Sequence, residues 1–319
     1  MRPVPAPHRD DPNVIARLLD RIDHLQRSLP PAAFLYGVVK KFGDDRGGSA
    51  AALISYYTFF SLFPLLMVGT TILGWVLQDN PTMQQQITDS ALARFPIVGD
   101  QIAESVGSVH GSGLAFGVGL FFALWAGLGA TEAVQEALHT VFSVPVLQRP
   151  PFVVRKLRGV LILVIFGALV VAVTVLGSIG ITQWFGPLGR LGWVVVQGLL
   201  NAAVIGLLFV VLTGRRTAVR PLVWGAVVGG IGWTVLQFAG GTYVSGVVTR
   251  ASRTYGLFAV VIGLLSWIYL QAQILLYAAE VASVADVKLW PRALVRERPT
   301  AADIEADRAI RRRERRLEA

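Results

Sequence analysis

Five polar side chains, Ser266, Tyr269, Gln273, Tyr277 and Glu280, recur at spacings of 3, 4, 4 and 3 in an otherwise apolar run. At about 3.6 residues per helical turn, that spacing brings all five to one face. A polar stripe is costly against lipid, so it must face protein or a wet cavity. Two readings stay open: a path for a polar substrate, or an interhelical hydrogen-bond seam with Glu280 at the cytoplasmic surface. Earlier in the chain Ser55, Tyr56, Tyr57, Thr58 and Ser61 precede Pro64. Proline frees the carbonyl of Phe60 and kinks a helix, and nearby hydroxyls can re-satisfy the freed group. Tyr56 and Tyr57 also suit an interfacial aromatic belt. Gln197 and Asn201, four apart, and Gln237 extend the polar set. The candidate substrate path is Tyr57, Ser61, Pro64, Gln237, Ser266, Tyr269, Gln273, Tyr277 and Glu280.

A second constellation is charged. Glu132, Glu136 and His139 share a helix face, and Arg155, Lys156 and Arg158 follow closely in sequence. Opposite charges at one membrane level fit a salt-bridged cytoplasmic gate or a proton or cation site, and equally a solvated cap. Arg250 and Arg253 stand three apart with no acid between them. They suit either the phosphate headgroups of a leaflet or ion pairs with a neighbouring acidic segment.

Several chemistries lack their residues. There is no cysteine, and the four histidines are dispersed. No H-E-x-x-H, G-x-G-x-x-G or G-x-x-x-x-G-K-[ST] pattern occurs, so metalloprotease, dinucleotide and P-loop readings have no warrant. No metal, cofactor or enzyme activity is expected.

The elements that must position these groups follow from composition. Of 319 residues, 54% are hydrophobic and 15% charged, against about 25% charged in soluble domains. The polar surface is too small for water, so the solvent is lipid. Six stretches carry no charge: Gly47–Gln78, Ser105–Thr131, Gly159–Gly189, Leu191–Gly214, Pro221–Thr249 and Thr254–Ala279. Each exceeds the roughly 20 residues a helix needs to cross a bilayer. Only internally satisfied backbone spans lipid, and strand alternation is absent, so each is read as a helix. Arg190 separates the third from the fourth beside Gly186-Pro187-Leu188-Gly189, a turn signal. The fold expected is an all-α membrane protein, a six-helix transmembrane bundle over 47–283 with cytoplasmic N- and C-terminal helices.

Orientation comes from Lys and Arg. With both termini on one side, that side holds 25 of the 29 basic residues, leaving Arg94, Arg190, Arg250 and Arg253 opposite. That side is cytoplasmic. Residues 1–46 lack a signal-peptide core and include an amphipathic stretch over 12–28. The outer segment 79–111 is acidic, and the tail 284–319 ends in a run with the composition of a solvated helix, Arg-rich but interleaved with acids. Gly113/Gly117 and Gly225/Gly229 are G-x-x-x-G spacings that permit close helix approach within the chain.

The run Ser49-Ala50-Ala51-Ala52-Leu53-Ile54-Ser55-Tyr56-Tyr57-Thr58-Phe59-Phe60-Ser61-Leu62-Phe63-Pro64 resembles the first-span signature of the YihY/BrkB family of bacterial inner membrane proteins. Two further blocks agree. Leu124-Trp125-Ala126-Gly127 through Glu136-Ala137-Leu138, then Arg149-Pro150-Pro151-Phe152, is similar to its second span and loop. Thr254-Tyr255-Gly256, Trp267-Ile268-Tyr269-Leu270 and Leu275-Leu276-Tyr277-Ala278-Ala279-Glu280 are similar to its last span. The family carries Asn at the place of His139, Tyr at Phe142 and Gly at Ala278. The resemblance covers about 30–285 and implies six spans in a bacterial inner (plasma) membrane.

Two functions follow as expectations, and a third is weighed and set aside. The first is a transporter or flippase-like protein for a lipid or small solute. The second is a membrane scaffold recruiting an envelope or cytoplasmic protein. The third, a ribonuclease, is the family's old label, and the cytoplasmic segments offer no dense His/Asp motif to support it. The Arg-rich tail is interleaved with acids, so membrane lipid rather than nucleic acid is the partner expected.

Overall fold

The computed structural model describes residues 21, 23, 24, 26–76, 113–178, 186–214, 218–243, 257–294 and 299–314. The segment 79–111, Arg250 and Arg253, and residues 12–20 of the amphipathic stretch lie outside them. All regular structure among the described residues is helical. Helix α1 runs Pro30–Asp44, α2 Gly47–Val76, α3 Gly113–Val141, α4 Phe152–Ser178, α5 Gly186–Thr213, α6 Val219–Tyr243, α7 Leu257–Val287 and α8 Ala301–Glu314.

Helices α2 to α7, of 30, 29, 27, 28, 25 and 31 residues, fall on the six uncharged stretches. Three of them, over Leu191–Thr213, Val219–Gly240 and Val261–Val287, are long and apolar enough to cross a membrane among the described residues. Gly186-Pro187-Leu188-Gly189 is not a turn: these residues open α5. Proline in a first helical turn costs nothing, because the N–H it lacks would have had no intrahelical partner. Pro64 lies inside α2, as expected.

α7 is the organising element. It packs against α1, α2, α3 and α6, while α3 also packs on α2 and α4, and α5 on α6. Between these helices lies one continuous core that includes Leu138, Phe142, Phe209, Leu212, Leu276 and Ala282. Phe142 meets Phe209 edge to face at 5.8 Å. A smaller cluster of Val38, Val284, Leu289 and Ala306 fastens α1, the end of α7 and α8 to one another. Outward side chains such as Phe121, Trp125, Val164, Leu199, Val235 and Phe238 are exposed and apolar. Such a surface is stable only in contact with lipid or another apolar partner.

α3 and α7 end alike. Ser143 and Lys288 take positive φ, and the N–H groups of Val144 and Leu289 donate back to the carbonyls of His139 and Val284. This closes the last turn of each helix and directs the chain sideways across the base of the bundle.

Candidate functional site

Helix α7 presents two opposite faces to the bundle. Ser266, Tyr269, Gln273 and Tyr277 are half-buried on one, and Glu280 is wholly buried at its end. The expectation that Glu280 reaches the cytoplasmic surface is therefore corrected. α1 and α8 close over this end of α7, and Lys41 donates to Glu280 Oε2 at 2.8 Å, to Asp45 at 2.6 Å and to the carbonyl of Val141 at 2.7 Å. Arg313 of α8 donates to Asp45 at 2.8 Å and to the carbonyl of Thr140 at 3.2 Å. Charge is balanced within this group, two cations to two carboxylates. Tyr277 stacks on Phe42 at 4.0 Å, so the stripe faces α1 through aromatic packing.

The remaining path residues are dispersed. Tyr57 is exposed, edge to face with Tyr56 at 5.6 Å. Ser61 donates to the carbonyl of Thr58, and Ser55 to that of Leu265. Gln237 accepts from Gln197 at 3.1 Å and from Asn201 at 3.4 Å, a polar seam between α5 and α6 apart from the α7 stripe.

The opposite face of α7, with Ile268, Gln271, Ala272 and Leu275, borders a cavity of about 180 Å³. All of α2 to α7 contribute to it, through residues such as Val134, Leu163, Phe166, Leu212 and Trp233, and its polar members are Thr58, Thr131 and Gln271. None of the nine expected path residues is among the described residues that line it. Thr131 spends its hydroxyl on the carbonyl of Leu128, and apart from Thr58 and Gln271 the rest of the described lining is almost wholly apolar.

One to two turns from the cavity, the charged constellation assembles in part. Lys156 meets Glu132 at 2.9 Å, with Arg155 at 3.9 Å, and Arg149 donates to both oxygens of Glu136 at 2.6 and 2.7 Å. Arg158 does not join these pairs: its guanidinium lies against Gly214, where a Cβ would fall 2.4 Å from it. Gly214 has φ +61°, so glycine suits the position twice over. Gln135 donates to the carbonyl of Arg155 at 3.2 Å. His139 is 1% exposed and neither ring nitrogen has a hydrogen-bond partner. Burial, then the positive charges of Arg149, Arg155 and Arg158, draw its pKa down to about 4, so it is neutral. Lys41, Asp45, Gln135, Arg149 and Arg313 belong to these groups, and no spacing pattern in the sequence singles them out. Only the opposite charge of Lys41 and Asp45, one turn apart, could have pointed to them.

The tail forms a clasp rather than a solvated helix. Arg292, 2% exposed, donates to Asp303 at 2.6 Å and to Asp44 at 2.7 Å. Asp303 also accepts from Lys40 and from the backbone N–H groups of Ala293 and Thr300, each at 2.9 Å. Asp23 accepts from the N–H of Leu294 at 3.0 Å, tying in the segment before α1. Burial alone would raise the Asp303 carboxyl, but these donors hold it well below the usual carboxylate range. A carboxyl depressed from about 3.9 gives stability that is complete above about pH 4 and lost as pH falls toward its folded value. Protection of the α8 amides from hydrogen exchange should therefore persist at pH 5 and fall only below about pH 4. Loss already at pH 6 would contradict it.

Long apolar helices, an apolar exterior and charge gathered at one end define a polytopic helical membrane protein. The family model for Virulence factor BrkB matches residues 38–302, and the chain belongs to that family. It is similar to the inner membrane protein YhjD of Escherichia coli, 26% identical over 285 residues, covering 82% of this chain and 84% of the relative. It also resembles the ribonuclease-like protein YfkH of Bacillus subtilis, 22% identical with 78% and 94% covered. A UPF0761 membrane protein of Nitrosospira multiformis is 21% identical, with 87% and 66% covered. No solved structure matches.

Proposed function

We propose that the chain is a six-span inner membrane protein with cytoplasmic termini that admits the acyl chain of a lipid between its helices, as a transporter or flippase-like protein does. The observation that carries this reading is the apolar cavity to which all six long helices contribute. Pockets between helices of a bundle are common ligand sites, and an apolar lining selects an apolar guest. A phospholipid with a photoreactive acyl chain should crosslink to α3, α4 and α7 at the cavity, and Ala130→Phe should abolish that crosslink. Crosslinks confined to outward residues such as Phe121 and Phe238, unchanged in the variant, would overturn it.

The topology is supported by the meeting of α1, α8 and the end of α3, where Lys41 and Arg313 reach the carbonyls of Val141 and Thr140. Both terminal helices thereby share the side of the basic 132–158 connection. With no native cysteine, single cysteines report cleanly. A cysteine at position 90 should react with an impermeant maleimide in intact cells, and one replacing Leu147 should react only after lysis. The converse pattern would invert the topology.

The scaffold reading draws on the clasp, which holds α8 with Arg308, Arg311 and Arg312 exposed toward the proposed cytoplasmic side. Hydrolysis of RNA is not part of the proposal, although one relative's name points to it. Glu132, Glu136, Asp45, Glu280 and Asp303 are each held in an ion pair with a Lys or Arg rather than grouped around an open aqueous pocket.

A further inference from the structure

We infer that Gln135, His139, Arg155 and Arg158, with Arg149 at the rim, form a phosphate-binding site for the headgroup of the lipid whose acyl chain enters the cavity. The inference rests on the acyl-chain reading above and adds the chemical class of the headgroup.

Three observations carry it. The first is charge. Arg149, Arg155, Lys156 and Arg158 face only Glu132 and Glu136 among the described residues, and His139 is neutral, so two positive charges go unanswered. The carboxylates of Asp45 and Glu280 do not help, because Lys41 and Arg313 already answer them.

The second is unpartnered donors. Arg149 Nε, Arg155 Nε and Arg158 Nη1 have no hydrogen-bond partner, and neither has the single N–H of the buried, neutral His139. A buried donor left so is costly, and several in one cluster call for an acceptor that can take more than one bond. A phosphate does this, and guanidinium groups match its geometry. Gln135 is 0% exposed, and its Oε1 is an acceptor without a partner. It would take the hydroxyl of a glycerol headgroup or of a protonated phosphate.

The third is position. Thr131 and Val134 of α3, Ile162 of α4 and Leu212 of α5 line the cavity. Gln135 and His139 follow on α3, Arg158 and Arg155 precede on α4, and Gly214 beside Arg158 comes directly after the last residue of α5. An amphiphile with its chain in the cavity therefore sets its headgroup among these donors.

The test uses the purified full chain in detergent with three probes: dioleoyl phosphatidylglycerol, dioleoylglycerol and inorganic phosphate. Phosphatidylglycerol should bind about tenfold more tightly than dioleoylglycerol, as one or two charge-assisted hydrogen bonds imply. Arg158→Gln should remove that preference and leave dioleoylglycerol affinity unchanged, while inorganic phosphate should compete weakly. Equal affinity of the native chain for the two lipids overturns the headgroup site and leaves the acyl site standing. Binding of neither lipid overturns both readings. Phosphate bound as tightly as phosphatidylglycerol, with dioleoylglycerol unbound, assigns the site to a free phosphate and overturns the lipid. Circular dichroism of Arg158→Gln and Arg158→Lys reports folding, and the native-chain comparison stands if either fails to fold.

Discussion

Lys41→Met is expected to destabilise the chain by about 3–5 kcal/mol, the cost of leaving a buried carboxylate without its cation. Lys41 is 5% exposed and gives its three donors to Asp45, Glu280 and the carbonyl of Val141. Methionine fills the same volume but donates nothing. Asp45 keeps Arg313, whereas Glu280, 0% exposed, has no other cation among the described residues. Glu280→Gln should cost less, because an amide oxygen still accepts from Lys41 and Asp45 still answers its charge. The double variant Lys41→Met/Glu280→Leu should recover most of the lost stability, since replacing both members of a buried pair with apolar groups is often neutral. Thermal unfolding in detergent, followed by circular dichroism, reads all three. If Lys41→Met melts within about 1 kcal/mol of the native chain, the buried pair is not what closes the base of the bundle.

What the sequence discloses and what it hides follow from the range of each interaction. The six long helices are legible because the cost of a charge in hydrocarbon acts residue by residue, and so leaves uncharged runs of spanning length. The one-sided placement of Ser266, Tyr269, Gln273, Tyr277 and Glu280 is legible from the helical period. What that face meets is not, because its partners Phe42 and Lys41 come from the other end of the chain, 239 residues away in the case of the Lys41–Glu280 bond. The clasp is hidden for the same reason: Arg292, Asp303 and Lys40 read individually as solvated charges. The cavity leaves no mark at all. Residues such as Leu163, Phe166 and Leu212 have the same character whether they face lipid, core or a guest. Proline misleads differently, since Pro187 reads as a turn when only its position in a first helical turn is meant.

Glycines in α6 give the second large effect, and they separate packing within the chain from association between chains. A Cβ on Gly225 would lie 2.5 Å from the carbonyl oxygen of Ala278 and 2.7 Å from the Cβ of Ala282, both on α7. A Cβ on Gly230 would lie 2.7 Å from the backbone N of Ala202 and 2.8 Å from the carbonyl oxygen of Gly198, both on α5. Backbone atoms cannot swing aside as a long side chain can, so α6 must move away from its neighbour and open a gap along the contact. Gly225→Ala and Gly230→Ala should each cost about 1–3 kcal/mol by overpacking. The two act on different helices, so their costs should add, and the double variant should accumulate poorly in membranes. Gly117→Ala is the control. Nothing lies within 4 Å of its added methyl, and alanine should gain the chain up to about 1 kcal/mol in helix propensity. If Gly225 and Gly229 instead served a dimer, Gly225→Ala would reduce the particle mass in detergent and leave the melting of the monomer unchanged. Because Ala278 and Ala282 of the same chain already occupy that face, we expect the melting temperature to fall at constant mass.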